Sequence, residues 1–198
     1  MRLMYVITRG DTIGGAQMMV RDLAIGTAER GHEVVVVTGI GGPLTEQLAA
    51  RGIETRICEG MLREIDPRQD IRAVRAMTAL IHELHPDLVT THSSKAGVVG
   101  RIAARRAGVP AMFTAHGFAF TGGVSQPKRT IYRLIERGME RFAARIVCVS
   151  DYDRNLAITA GMSPDRLVTI HNALPDIDPS LRAHPDQGSP VRIVKVAR

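Results

Sequence analysis

With 198 residues, 44% hydrophobic and 23% charged, the chain has the size and composition of one globular domain, or of one domain with a piece of a second, and not of a disordered or low-complexity protein. No apolar run approaches the roughly 18–20 residues of a membrane span, and Met1–Asp11 holds too short an apolar stretch for a signal peptide. Net charge is +6, but Lys95–Arg145 alone holds ten bases and two acids, +8, which leaves −2 for the rest and implies a polyanionic partner: phosphates, an acidic membrane surface or nucleic acid.

Apolar runs alternate with helical-period segments. Leu3–Thr8 predicts a buried strand closed by Gly10, and Ala16–Arg30 a helix stopped by Gly31. Val34–Thr38, β-branched throughout, suits a strand buried on both faces. A short helix over Leu44–Ala50 and a third strand at Thr55–Cys58 follow. Asp70–His85 predicts a helix stopped by Pro86, Asp87–Thr91 a fourth strand, and Lys95–Ala107 a helix stopped by Gly108 and Pro110. Ala111–Ala115 is the fifth strand, Lys128–Ala144 the longest helix and Ile146–Ser150 the sixth strand. A helix over Asp153–Ala160 and a seventh strand at Leu167–Ile170 complete the series. Repeated β-then-α units predict a doubly wound α/β domain, a mostly parallel Rossmann-like sheet of about seven strands.

This domain is expected over residues 1–172. Residues 173–190 hold four prolines and predict a linker; 191–198 begin a new apolar strand, expected to be the first of a second, truncated domain. Cys58 and Cys148 lie far apart without metal-ligand spacing, so both are expected to be buried thiols.

Three places carry chemistry. The first strand runs into Gly10-Asp11-Thr12-Ile13-Gly14-Gly15-Ala16-Gln17, where backbone N–H groups at a helix start can meet a phosphate. A Gly-rich turn without a ligand is the plain alternative. The G-x-G-x-x-G fingerprint, its acidic partner and the P-loop Lys-Ser/Thr are all absent, which argues against nicotinamide cofactors and NTPase chemistry. His92-Ser93-Ser94-Lys95 and His116-Gly117-Phe118-Ala119-Phe120 follow the fourth and fifth strands, at the sheet edge where α/β proteins bind ligands. A cap at Ser93 or Ser94 and a structural hydrogen bond from His116 are the plain readings. His82-Glu83-Leu84-His85 lacks zinc-helix spacing and reads as a solvated helix end. In the longest helix Ile131, Leu134, Ile135, Met139 and Phe142 predict a core stripe. Arg129, Arg133, Arg137, Arg141 and Arg145 form a drifting basic row suited to anionic lipid; without interleaved aromatics or a recognisable module, nucleic acid is not expected as a partner.

Taken in order, Gly14-Gly15-Ala16-Gln17, the run HSSKAGVVGRIAA from His92, FTAHGFAF around His116, Val149-Ser150 ahead of Arg154, and Ile170-His171-Asn172-Ala173 resemble the family-four glycosyltransferases of the GT-B fold. The second and third are similar to the bacterial subgroup that builds surface polysaccharides and lipid-linked glycans, and RIVKVAR at the end is similar to the opening strand of a second GT-B domain. Asn172-Ala173 stands where Asn-Gly is commoner in the family. The resemblance implies a retaining transferase that takes its sugar from a nucleotide-diphospho-sugar, uses no cofactor or metal, and holds most of the donor site in a carboxy-terminal domain. It places Gly14 and Gly15 facing the donor diphosphate and His116 beside the reacting centre, with His92, Lys95, Phe118 and Phe120 on the side of a lipid-linked or glycan acceptor. With the Arg row, it implies a cytoplasmic enzyme peripheral to the anionic inner face of the membrane. The rivals are a sugar-nucleotide 2-epimerase of the same fold and a stand-alone binding module for a lipid-linked sugar.

Overall fold

A computed structural model describes residues 1–173 and 178–181. The strands are β1 (Arg2–Ile7), β2 (Glu33–Thr38), β3 (Glu54–Ile57), β4 (Leu88–Thr91), β5 (Ala111–Ala115), β6 (Arg145–Cys148) and β7 (Leu167–Thr169). The helices between them are α1 (Gly15–Ala28), α2 (Pro43–Ala49), α3 (Pro67–Leu84), α4 (Ser94–Ala107), α5 (Gln126–Met139) and α6 (Asp151–Thr159). All seven strands are parallel, in the order β3-β2-β1-β4-β5-β6-β7, as the doubly wound reading predicts. The predicted strand from Val191 and most of the predicted linker lie outside the described residues.

Alternation along β1 and β2 shows why the sheet needs helices on both faces. Met4, Val6, Val35 and Val37 pack on one side with residues of α3 and α4. Tyr5, Ile7 and Val36 pack on the other with residues of α1 and α2. A third cluster joins Phe113 and Ala115 of β5, Ile146 and Cys148 of β6, and Ala157 of α6. Both cysteines are buried, unpaired thiols, pushed up by burial to about 12 at Cys58 and about 11 at Cys148.

Helix α4 sits unusually close to the sheet. A Cβ at position 100 would stand 2.6 Å from Thr91 Cγ2, so glycine there lets the helix approach β4. Much of the run HSSKAGVVGRIAA therefore records packing: Ala96, Gly97, Gly100, Ala103 and Ala104 are all buried.

Two helices depart from the expected bounds by three residues or more at one end, and α3, of 18 residues, is longer than α5, of 14. Helix α3 begins at Pro67 because Asp66 accepts hydrogen bonds from the N–H groups of Arg68 and Gln69, at 2.9 and 3.2 Å. Helix α5 ends at Met139 and continues only as a 3-10 turn, Glu140–Phe142, before β6. The predicted core stripe of α5 is corrected more sharply. Ile131, Leu134 and Ile135 are 53%, 56% and 38% exposed, and only Glu136 and Met139 of the helix are buried. Amphipathic spacing specified an apolar face, of which Met139 is buried and Phe142 half-buried as expected, while Ile131, Leu134 and Ile135 are left exposed.

What seats α5 is an ion pair. Arg101 of α4, fully buried, donates from Nη2 to Glu136 Oε2 at 2.8 Å and from Nε to the Gly97 carbonyl at 2.7 Å. Its guanidinium lies 4.4 Å from the centre of the Phe113 ring. Removing one partner strands a buried charge, whereas an apolar replacement of both need not. Glu136→Ala is expected to cost about 3–5 kcal/mol in denaturant unfolding, and the double variant Arg101→Met/Glu136→Leu to recover much of that loss. A cost below about 1 kcal/mol for the single variant would show that the pair does not hold the helix.

Candidate functional site

Strands β1 and β4 are neighbours whose following helices leave on opposite faces, so their carboxyl ends flank the switch point of the sheet. Hydrogen bonds lock the loops there. Thr8 N donates to Ser93 Oγ at 3.2 Å, the two hydroxyls lie 2.7 Å apart, and Ala96 N donates to Thr8 Oγ1 at 3.2 Å. The side chain of Ser93 makes no hydrogen bond into its own helix. The first turn of α4 is capped from the neighbouring strand by Thr8, a role that only the fold reveals.

His92 follows β4 directly and is 1% exposed. Its Nε2 is 3.0 Å from Thr90 Oγ1 and its Nδ1 is 3.2 Å from His116 Nε2. Burial, reinforced by the adjacent His116, depresses His92 to about 3; burial also lowers His116. Two neutral imidazoles can share one proton in this contact, and the tautomer of one sets that of the other. Gly117, at φ 100°, makes the turn that follows His116.

Lys95 donates its Nζ to Asp70 Oδ1, tying the first turn of α4 to the first turn of α3; its side chain is 10% exposed. Gly14 is the N-cap of α1 with an extended backbone and no side-chain cap, and the first turn holds no acid. A Cβ at Gly15 would meet no protein atom within 4 Å, so packing does not demand glycine there. Phe118 and Phe120 are 3% and 2% exposed, stacked on each other with centroids 4.8 Å apart. Their rings lie in the core beneath the edge and offer no open acceptor wall, which corrects the expected placement; the FTAHGFAF spacing carries aromatic packing as well as His116.

A cavity of about 900 Å³ opens beside these residues. Thr8, Arg9, Ala16, Gln17, Ser94 and Lys95 bound its polar end, and it continues between α3, α4 and α5. His92, His116, Phe118 and Phe120 do not line it. Asp70, unmarked in sequence reasoning, stands on the wall. Among the described residues no cluster of three or more His, Cys, Asp or Glu side chains is arranged to hold a metal, and no helix is long and apolar enough to cross a membrane. Of the Arg row, Arg133, Arg137 and Arg141 are exposed, the last on the 3-10 turn. Arg129 turns inward, its Nε donating to the Phe120 carbonyl at 2.9 Å.

The histidine pair imposes a pH dependence on folding. Both folded-state values lie below the unfolded one, so below about pH 6.5 the unfolded chain binds protons that the folded chain refuses. Stability is therefore lost as pH falls, by up to about 1.4 kcal/mol per unit for each such histidine. Denaturant titrations at pH 7.5 and 5.5 are expected to show this loss, and His92→Gln to shrink it. An equal loss in the variant would assign the dependence to other groups.

Residues 14–173 match the family model described as Glycosyl transferase 4-like domain. An Escherichia coli relative, UDP-Gal:alpha-D-GlcNAc-diphosphoundecaprenol alpha-1,3-galactosyltransferase, is 33% identical over 118 residues, 59% of this chain and 30% of its own. The structure of HepE from Anabaena in complex with UDP and glucose has a TM-score of 0.72 at 20% identity, over 87% of this chain and 44% of its own. That of the UDP-GlcNAc 2-epimerase from Neisseria meningitidis has a TM-score of 0.59 at 13% identity, over 85% and 45%. These two structural likenesses speak for the fold alone. The chain thus spans from under a third to under half the length of these relatives. With the match running from the Gly-rich loop past the last strand of the sheet, the chain belongs to the Glycosyl transferase 4-like domain family.

Proposed function

We propose that the chain is the acceptor-side half of a retaining glycosyltransferase that moves a sugar from a nucleotide-diphospho-sugar to a lipid-linked glycan. The observation that carries this reading is the coincidence of the family match with a large cavity at the sheet's switch point. The printed acceptor of the Escherichia coli relative, a diphosphoundecaprenol-linked sugar, supports the lipid carrier. The epimerase likeness carries no more than the fold, whereas the family match favours transfer.

In this reading the uncapped start of α1 receives the donor diphosphate. Its N–H groups and helix dipole oppose the charge that grows as the bond from the sugar C1 to the diphosphate oxygen breaks. The open space at Gly15 lets phosphate approach the backbone. The acceptor oxygen forms the new bond to C1 on the same face, and its proton passes to the leaving phosphate. His116, neutral and oriented by His92, hydrogen-bonds the donor sugar rather than serving as base. A donor-binding half completes the enzyme in this reading. No metal is assigned to the step.

The same reading sets the enzyme on the cytoplasmic membrane face. The exposed Ile131, Leu134 and Ile135 lie beside Arg133 and Arg137 on α5, an apolar stripe flanked by cations. Such a helix lies in the lipid interface, with roughly 1 kcal/mol of attraction per basic residue near an anionic surface.

In the enzyme carrying both halves, His116→Ala is expected to lower kcat more than tenfold while the acceptor KM changes little and the protein, somewhat destabilised by the loss of the His92 contact, stays folded. Unchanged turnover would leave His116 a structural residue. Co-sedimentation with vesicles is expected to rise with anionic lipid content and fall with salt. Leu134→Ser combined with Arg133→Glu and Arg137→Glu should abolish it; full retention would mean that α5 does not meet the membrane.

A further inference from the structure

Beyond its polar end, the cavity is an apolar trough. One stripe of α4 forms its floor: Lys95, Val98, Val99, Ile102 and Arg106 all line it. At the helical rise this stripe runs about 16 Å from Lys95 to Arg106. Ile71 and Val74 of α3 form one wall, and Tyr132 and Ile135 of α5 the other. The lip is apolar as well: Ile65 and Ile71 are 68% and 54% exposed, facing the trough opposite Ile135. This lip is continuous through Ile135 with the stripe of Ile131 and Leu134 along α5.

The charges on this trough do not cancel. Arg9 is paired with Asp11, Lys95 with Asp70, and Glu136 with Arg101. Among the described residues, Arg63, Arg106 and Lys128 line the cavity without an acidic partner. Lys128 lies in the first turn of α5, and Arg63 precedes α3. Parallel connections bring both helix starts to the carboxyl edge of the sheet, where the sugar would react. Two of the three unpaired cations thus favour an anionic group at the reacting end with apolar walls behind it, while Arg106, in the last turn of α4, stands at the far end.

We propose that the trough holds an isoprenoid diphosphate, with Arg63 and Lys128 on the diphosphate and the first prenyl units along Val98, Ile102 and Ile135. The inference rests on the transferase reading, since it gives that acceptor its binding site. Two unpaired cations at the head of the trough match a diphosphate better than the single carboxylate of a fatty acid. A soluble nucleotide would leave the isoleucine walls unfilled.

The test is binding of the 198-residue chain to a 15-carbon prenyl diphosphate by calorimetry, beside the prenyl alcohol, inorganic pyrophosphate and a 14-carbon fatty acid. The prenyl diphosphate is expected to bind at least tenfold more tightly than each of the three. Ile71→Ser/Ile135→Ser should weaken it tenfold or more, and so should Arg63→Glu/Lys128→Glu. All four positions are exposed, so unchanged melting temperatures can be required of both variants. Arg51→Glu, remote from the trough, should bind as the parent does. Equal binding of the alcohol or the fatty acid, no measurable binding of the prenyl diphosphate, or no effect of either variant would overturn the proposal. In the enzyme with both halves, turnover insensitive to these variants would reject the trough and keep the transferase. Saturable prenyl diphosphate binding without turnover on any nucleotide-sugar would reject the transferase and keep the trough.

Discussion

The buried contact between Arg101 and Glu136 decides how the carboxyl half of this domain is shaped. Helix α5 buries only two side chains, so hydrophobic packing of its own face cannot seat it. A charge pair in a dry environment is directional: it has one satisfactory geometry, held here by the Gly97 carbonyl and the face of Phe113. With the helix held by that pair, by Arg129 on the Phe120 carbonyl and by Met139 and Tyr132, its remaining apolar residues are left to face something other than the sheet. The trough between α3, α4 and α5 exists because α5 is pinned beside α4 rather than packed flat upon it.

The opposite economy governs the sheet edge. There the polar groups satisfy one another across strands: Thr8 with Ser93 and Ala96, His92 with Thr90 and His116, Lys95 with Asp70. Apart from the local contact of His92 with Thr90, these bonds join distant segments of the chain, so the edge is ordered in advance and little freedom is left to lose on binding. Burial keeps His92 uncharged, which preserves a neutral imidazole next to His116.

The seven strands were readable because strands buried on both faces must be apolar almost throughout, as the four consecutive valines of β2 are. The β-then-α units then pointed to a doubly wound parallel sheet, but not to its strand order. Helix α3 starts earlier than periodicity suggests because its first turn is polar, although Asp66-Pro67 is a readable start. The α5 stripe was legible as apolar and illegible as to direction, because spacing cannot say whether an apolar face meets protein or another apolar medium. The partners of Arg101 and Lys95 lie 35 and 25 residues away in sequence, and no local pattern links them. Position after strands four and five placed His92 and His116 at one edge, but not the buried hydrogen bond between them. Phe118 and Phe120 were drawn to the site by the loop they share with His116, and their rings turned into the core.

The cap that Thr8 supplies to α4 gives the edge a mechanical property. Thr8 begins the loop that leads to α1, and its hydroxyl bonds Ser93 and Ala96 at the start of the helix that floors the trough. A displacement of that loop must either stretch these bonds or carry the start of α4 with it. Because α4 is wedged against β4 at Gly100, the helix cannot tilt inward, and motion is directed along its axis or away from the sheet. The polar end of the cavity and its floor are therefore joined mechanically through one hydroxyl.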